Sequence, residues 1–75
     1  MSTQKVVDAR GLMPPEPMEL TMTALDELQG PEDELLLLIY REPFPLYGIL
    51  QRNGYSHRTE STPDGTFHIH IRLAA

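Results

Sequence analysis

The chain has 75 residues, seven prolines, no cysteine and a formal net charge of −5. This length supports one small hydrophobic core, so we expect a single domain over residues 1–75. The absence of cysteine excludes disulfides, thiolate nucleophiles and sulfur-ligated zinc. With only six lysines and arginines against eleven acids, nucleic acid is disfavoured as a partner. The longest apolar run, LLLLIY (35–40), is too short to span a bilayer, and we expect a cytoplasmic protein without a membrane partner.

The first half of the chain predicts a strand followed by a helix. The segment QKVVDA (4–9) pairs two valines with polar flanks, which favours a short strand. A helix is predicted from Met18 to Leu28, and Gly30 and Pro31 are expected to end it. Its apolar stripe consists of Met18, Met22, Leu25 and Leu28.

The next segment predicts a second strand and a second helix. ELLLLIY (34–40) is apolar at both odd and even positions, which predicts a central parallel strand covered on both faces. EPFPLYGILQRNG (42–54) begins with two prolines, which are tolerated in a first helical turn, and ends at Asn53-Gly54.

The C-terminal segment predicts a β-hairpin. YSHRTES (55–61) and GTFHIHIRL (65–73) flank a turn at Pro63-Asp64-Gly65. The resulting order is β-α-β-α-β-β. Right-handed crossovers place both helices on one side of the sheet. We therefore predict an α/β (α+β) two-layer sandwich, with a four-stranded mixed sheet and two helices on one face.

The segment DARGLMPPEP (8–17) resembles the signature of the TusA/SirA-like sulfur-carrier proteins, in which Cys-Pro-x-Pro opens the first helix. The matching positions are Asp8, Gly11, Leu12, Pro15 and Pro17. Pro14 stands where that family has its nucleophilic cysteine. The segment YREPFPLYGILQRNGY (40–55) resembles an uncharacterised branch of the same superfamily that lacks the cysteine.

This resemblance implies the TusA-like sandwich without persulfide transfer. A cysteine at a helix start is activated by the dipole and by free N–H groups, whereas proline supplies neither thiol nor N–H. We therefore expect no enzymatic sulfurtransferase activity and no cofactor, and we interpret the chain as a non-catalytic binding or regulatory module.

The two proline-rich loops are the candidate binding site. Because both follow parallel strands, GLMPPEP (11–17) and REPFPLY (41–47) should leave the same edge of the sheet, where ligands of open α/β sheets bind. We expect an exposed apolar patch that docks a protein partner. Its members are Met13, Pro14, Pro15, Phe44 and Pro45, with Arg10, Arg41 and Glu42 at the rim. In the alternative interpretation, Phe44 packs inward and the prolines merely mark helix starts.

Arg10 and Arg41 suggest a second use of the same edge. Each follows a predicted parallel strand, so the two could clamp a small anion or a sulfur-containing compound. They could equally be ordinary solvated arginines. Asp8 and Glu16 could form an acid–base pair, but the simpler interpretation places Asp8 at a strand end and Glu16 in a helix first turn.

Three histidines are weak candidates for metal binding. His68 and His70 alternate with apolar residues on the last strand, and His57 falls on the neighbouring one. The simpler interpretation, which we favour, is a solvated polar face in which a histidine pairs with Glu60. No fourth ligand is fixed by spacing.

The leucines of the second strand also predict a homodimer or another cover over the open face of the sheet. Two helices can cover only one face, whereas LLLLIY presents leucines to both.

Overall fold

The computed structural model describes residues 4–74, which form one four-stranded sheet and two helices. In chain order the elements are β1 (Gln4–Asp8), α1 (Glu16–Leu25), β2 (Glu34–Ile39), α2 (Phe44–Arg52), β3 (Tyr55–Ser61) and β4 (Phe67–Leu73). The order across the sheet is β1-β2-β4-β3. β1 and β2 are parallel, and β4 is antiparallel to both of its neighbours. The predicted element order and mixed sheet are confirmed.

The core lies between the sheet and the helix layer. Leu35 and Leu37 of β2 pair in register with Ile71 and Ile69 of β4, so all four side chains emerge on one face. These four side chains are fully buried, and buried residues of the helices complete the core: Thr21, Ala24, Leu25, Leu46 and Leu50. The period-two alternation of β4 therefore buries one face, as its sequence predicts.

The opposite face of the sheet has no helix over it. Leu36 and Leu38 are half-buried there, and Val6 of β1 is 57% exposed. β2 is a central strand, but it pairs in parallel only with β1 and is covered by helices on one face only. Both helices lie on one face, as predicted, so the cover predicted for the other face stays a prediction and its apolar side chains remain accessible.

Helix α1 is offset from its predicted position, since it begins at Glu16 and ends at Leu25 rather than spanning Met18 to Leu28. Its start includes Pro17, whose carbonyl accepts a 2.7 Å hydrogen bond from the buried Thr21 hydroxyl. After Leu25 the backbone tightens into turns in which the Leu28 N–H donates to the Leu25 carbonyl at 3.1 Å. Leu28 still packs against the core, which explains why its spacing looked helical.

The hairpin turn forms where it was predicted. Gly65 adopts a positive φ of 87°, a conformation that glycine takes without steric cost. Asp64 accepts hydrogen bonds from the Thr62 hydroxyl and from the Thr66 N–H, which closes the turn between β3 and β4. Among residues 4–74, neither helix has the length and apolar character needed to cross a membrane.

Candidate functional site

The carboxyl ends of β1 and β2 carry a cavity between the two proline-rich loops. It has a volume of about 340 Å³. Its walls are formed by Pro14, Pro15, Pro17, Met18, Leu37, Ile39, Arg41, Glu42, Pro43, Pro45 and Leu46. The parallel register of the two strands brings both loops to this edge, as the sequence predicts.

A second cavity of about 280 Å³ adjoins the first on the β1 side. Its lining includes Ala9, Gly11, Leu12, Met13 and Tyr40. The two cavities share four lining residues, namely Pro14, Pro17, Ile39 and Arg41. The two cavities therefore adjoin, and together they are called the proline cleft below.

The backbone around the proline cleft offers few hydrogen-bond donors. Prolines at 14, 15, 17, 43 and 45 have no N–H group. Nearby N–H groups are already used: Glu16 donates to the Met13 carbonyl at 3.0 Å, and Leu46 donates to the Pro43 carbonyl at 2.9 Å. Neither helix start has a side-chain cap. The cleft is therefore stiff and apolar, and an anion would find little main-chain support there.

In the structure, Phe44 is separate from the other members of the predicted apolar patch. Met13 is 73% exposed and lines the cleft, together with Pro14 and Pro15. Phe44 is 67% exposed, so it does not pack inward as a helix-start staple. It lies outside the cleft lining and makes an edge-to-face contact with Tyr47, at 6.0 Å between ring centroids.

The two predicted arginines have different surroundings. The Arg10 guanidinium donates to both carboxylate oxygens of Asp8, at 2.9 and 2.8 Å. These hydrogen bonds, with a further one from the Arg10 N–H, lower the pKa of Asp8 to about 2, and the same carboxylate raises the pKa of Arg10. Arg10 does not line the cleft, so the structure does not assemble a two-arginine clamp.

Arg41 belongs to both cavities of the proline cleft. Within residues 4–74 its side chain forms no ion pair and no hydrogen bond. Its neighbour Glu42 also lines the cleft, but Oε2 of Glu42 accepts a 3.0 Å hydrogen bond from the Tyr47 hydroxyl. The cleft therefore combines an apolar surface with one uncompensated guanidinium.

A polar cluster links α2 to β3 and was not predicted. The Tyr47 hydroxyl lies 2.6 Å from the Thr59 hydroxyl, and the Tyr47 ring stacks on His57 at 4.2 Å with an interplanar angle of 7°. Burial raises the pKa of Tyr47. Tyr47 stands three residues before the buried Leu50 on α2, and this helical spacing could have indicated a partly buried side chain near the next element, β3.

The three histidines do not come together. His57 pairs in register with Ile71 and stacks on Tyr47, so it lies on the helix side of the sheet. His70 lies on the opposite face, with Nε2 2.8 Å from Glu60 and Nδ1 3.4 Å from Glu34. His68 shares that face with His70. Among the described residues no three histidine, aspartate or glutamate side chains are arranged to hold a metal ion.

A family model described as "Uncharacterized conserved protein (DUF2249)" matches residues 6–73. The chain belongs to this family. The match includes all of β2, both helices, the hairpin and both loops of the proline cleft. A search of curated proteins finds no match to the chain.

The fold of this DUF2249 member is also that of a SirA-like protein. The crystal structure of a SirA-like protein from Desulfitobacterium hafniense superimposes with a TM-score of 0.80 at 22% identity, covering 100% of both chains. The predicted TusA/SirA-like sandwich is therefore confirmed as a fold. At the helix start of this DUF2249 chain, Pro14 lies two residues before the first residue of α1.

Proposed function

We propose that this DUF2249 protein is a non-catalytic binding or regulatory module that docks a protein partner in the proline cleft. The observation that carries the proposal is the cleft itself, whose larger cavity of about 340 Å³ is mostly apolar and lies between two loops that follow parallel strands. Binding sites in open α/β sheets occur at this edge.

The stiffness of the loops supports docking. Proline fixes φ, so the cleft walls lose little conformational freedom when a partner covers them. Met13 is largely exposed beside this rigid surface, and methionine adapts its shape to an apolar partner. Exposed apolar surface of this kind marks interaction sites in small proteins.

The chemistry of the same surface supports a non-catalytic role. The resemblance to the sulfur-carrier signature puts Pro14 at the position of the carrier cysteine, and the chain contains no cysteine. The loop N–H groups of Glu16 and Leu46 are already bonded within the loops and helix starts. The cleft thus offers shape and apolar area rather than a nucleophile or an oxyanion site.

A second candidate function is the binding of a small anion or a sulfur-containing compound by an accessory protein of sulfur or redox metabolism. The observation favouring it is the Arg41 guanidinium at the cleft, which has no ion-pair partner within residues 4–74. Arg10 contributes less to this candidate because Asp8 already neutralises it. Thermal-shift measurements with phosphate, sulfite and thiosulfate test it, because a ligand of the native state raises the melting temperature.

Site-specific photo-crosslinking tests the docking proposal. A photoreactive phenylalanine analogue placed at Met13, in cells expressing the full chain, should yield a discrete protein adduct. The matched control is the same group at Leu20, which is exposed on α1 outside the cleft. The proposal would be overturned if no adduct formed from position 13, or if positions 13 and 20 gave the same adducts.

A further inference from the structure

We propose that the proline cleft recognises an extended partner segment in which an apolar side chain stands next to an aspartate or glutamate. This inference rests on the docking function proposed above and specifies the chemistry of the partner. It combines two properties of one surface, namely the apolar lining and an Arg41 guanidinium that no carboxylate of the described residues pairs with.

Arg41 accounts for the preference for an aspartate or glutamate in the partner segment. It lines both cavities, and no carboxylate within residues 4–74 pairs with it. The nearest carboxylate in sequence, that of Glu42, is bonded to the Tyr47 hydroxyl, and Tyr47 does not line the cleft. The guanidinium fork is therefore available for the paired hydrogen bonds that a carboxylate accepts.

A single carboxylate fits better than a more highly charged group. The prolines remove main-chain donors, and the N–H groups of Glu16 and Leu46 are used internally, so one guanidinium must satisfy the ligand's charge. A phosphate group, with close to two negative charges and three acceptor oxygens, would remain poorly compensated. The net charge of −5 on the chain also opposes polyanions.

The shape of the cleft accounts for the preference for an apolar side chain in the partner segment. Its larger cavity, about 340 Å³, lies at the lower end of the range of about 300–1,000 Å³ for small-ligand pockets. This volume suits a side chain or two rather than a helix face. Because the two open cavities adjoin and share Pro14, Pro17 and Ile39 in their linings, a segment that enters both lies across the cleft, which favours an internal stretch of chain over a chain end.

The test is selection of random twelve-residue peptides, displayed internally between fixed flanking sequences, on the full wild-type chain. Enriched peptides should contain Asp or Glu within two positions of Leu, Ile, Met or Phe. A selected peptide should bind the Arg41→Gln protein about tenfold more weakly, as expected for loss of a charge-assisted hydrogen-bond pair. Its affinity for the wild type should fall with added salt, and its affinity for Arg41→Gln should not.

Two variants serve as controls. Arg52→Gln removes the same charge at the exposed end of α2, away from the cleft, and should bind the peptide as the wild type does. Arg41→Lys keeps the charge without the planar fork and should recover part of the affinity. Since Arg41 is exposed, folding of its variants is expected, and amide NMR spectra verify it.

The outcomes separate this inference from the docking function. The enriched peptides could lack acidic residues, bind the Arg41→Gln protein as tightly as the wild type and bind the Met13→Glu protein more weakly. This result would overturn the inference and leave the docking function intact. A requirement for a free C-terminal carboxylate, seen by comparing acid and amide forms, would likewise overturn the choice of an internal segment. Failure to enrich any peptide sensitive to Met13→Glu would overturn both proposals.

Discussion

Arg10 and Asp8 form a two-pronged ion pair at the end of β1, with guanidinium-to-carboxylate distances of 2.9 and 2.8 Å. The pair neutralises one of the two cations at this edge of the sheet and leaves Arg41 as the cation of the proline cleft. Although the sequence places both arginines after parallel strands, their roles are thus distinct.

The first prediction concerns the titration of Asp8. Its pKa, about 2, should appear as the midpoint of its side-chain carboxyl signal in a carbon NMR titration. Because the folded pKa lies below the ordinary value of about 3.9, the pair contributes stability above that value and loses it as pH falls towards 2. In Arg10→Gln the midpoint should rise part of the way to the ordinary value, since the main-chain N–H bond remains. An unchanged midpoint would contradict the assignment.

The second prediction distinguishes surface from core on α2. Phe44→Ala should lower the free energy of unfolding by less than about 1 kcal/mol, because Phe44 is 67% exposed and contacts Tyr47 only at the ring edge. Leu50→Ala should cost about 2–5 kcal/mol, because Leu50 is fully buried. Urea unfolding measures both. Comparable losses in the two variants would show that Phe44 belongs to the core.

The strands, the parallel direction of β1 and β2 and the β3–β4 hairpin could be predicted from the sequence because the strand patterns differ physically, whereas the antiparallel pairing of β2 with β4 was not predicted. β4 alternates strictly, so it buries one face, whereas the run of leucines in β2 indicates a central strand. The end of α1 could not be predicted, because Leu28 packs on the core from a turn rather than from the helix. The spacing of apolar residues indicates which side chains are buried, but it does not show whether a helix or a turn holds them.

The sequence predicts which edge of the sheet carries the two loops of the candidate site, but not the side-chain contacts there. Parallel strands dictate that both proline-rich loops share one edge, and they do. Arg10 pairs with Asp8 because the two side chains, two residues apart at the end of β1, point towards each other. The spacing of apolar residues in the sequence does not indicate the directions of these side chains. The contacts of Tyr47 with Thr59 and His57 depend in the same way on how α2 lies over β3.

The third prediction concerns the Tyr47 cluster. Tyr47→Phe should lower stability by about 1–3 kcal/mol, because it removes the hydrogen bond to Glu42 and leaves the Thr59 hydroxyl without its partner. The pKa of Tyr47 is raised by burial, so its contribution is present below the ordinary tyrosine value of about 10 and is lost as pH rises through the folded value. The alkaline decline in melting temperature should therefore be shallower in Tyr47→Phe. Parallel declines would contradict this role.

The fourth prediction concerns the absence of a thiol from the chain. Incubated with a cysteine desulfurase and cysteine, the wild-type chain should gain no persulfide mass, because it has no thiol. The thiol of Pro14→Cys should titrate near the free value of about 8.5, because the Glu16 N–H is already bonded, Pro17 has none, and Glu16 and Glu19 place negative charge in the first turn. A strongly depressed thiol pKa would show that the helix start can still activate a nucleophile.

The last prediction concerns the face of the sheet that carries no helices, where we propose that a second copy of the chain packs. Val6 is 57% exposed there, and Leu36 and Leu38 beside it are half-buried, so apolar area remains accessible on the two parallel strands. Sedimentation velocity should reveal concentration-dependent dimers. Val6→Lys should abolish them by placing a charge in the apolar contact.

The matched control for Val6→Lys is Leu20→Lys, which introduces the same charge at an exposed apolar position in the helix layer. Because Leu20 lies on the other side of the molecule, its variant should dimerise as the wild type does. Equal loss of dimers in both variants would point to a net-charge effect instead of a specific face. A wild-type chain that stays monomeric at millimolar concentration would contradict the proposed packing, and the leucines of β2 would then face solvent.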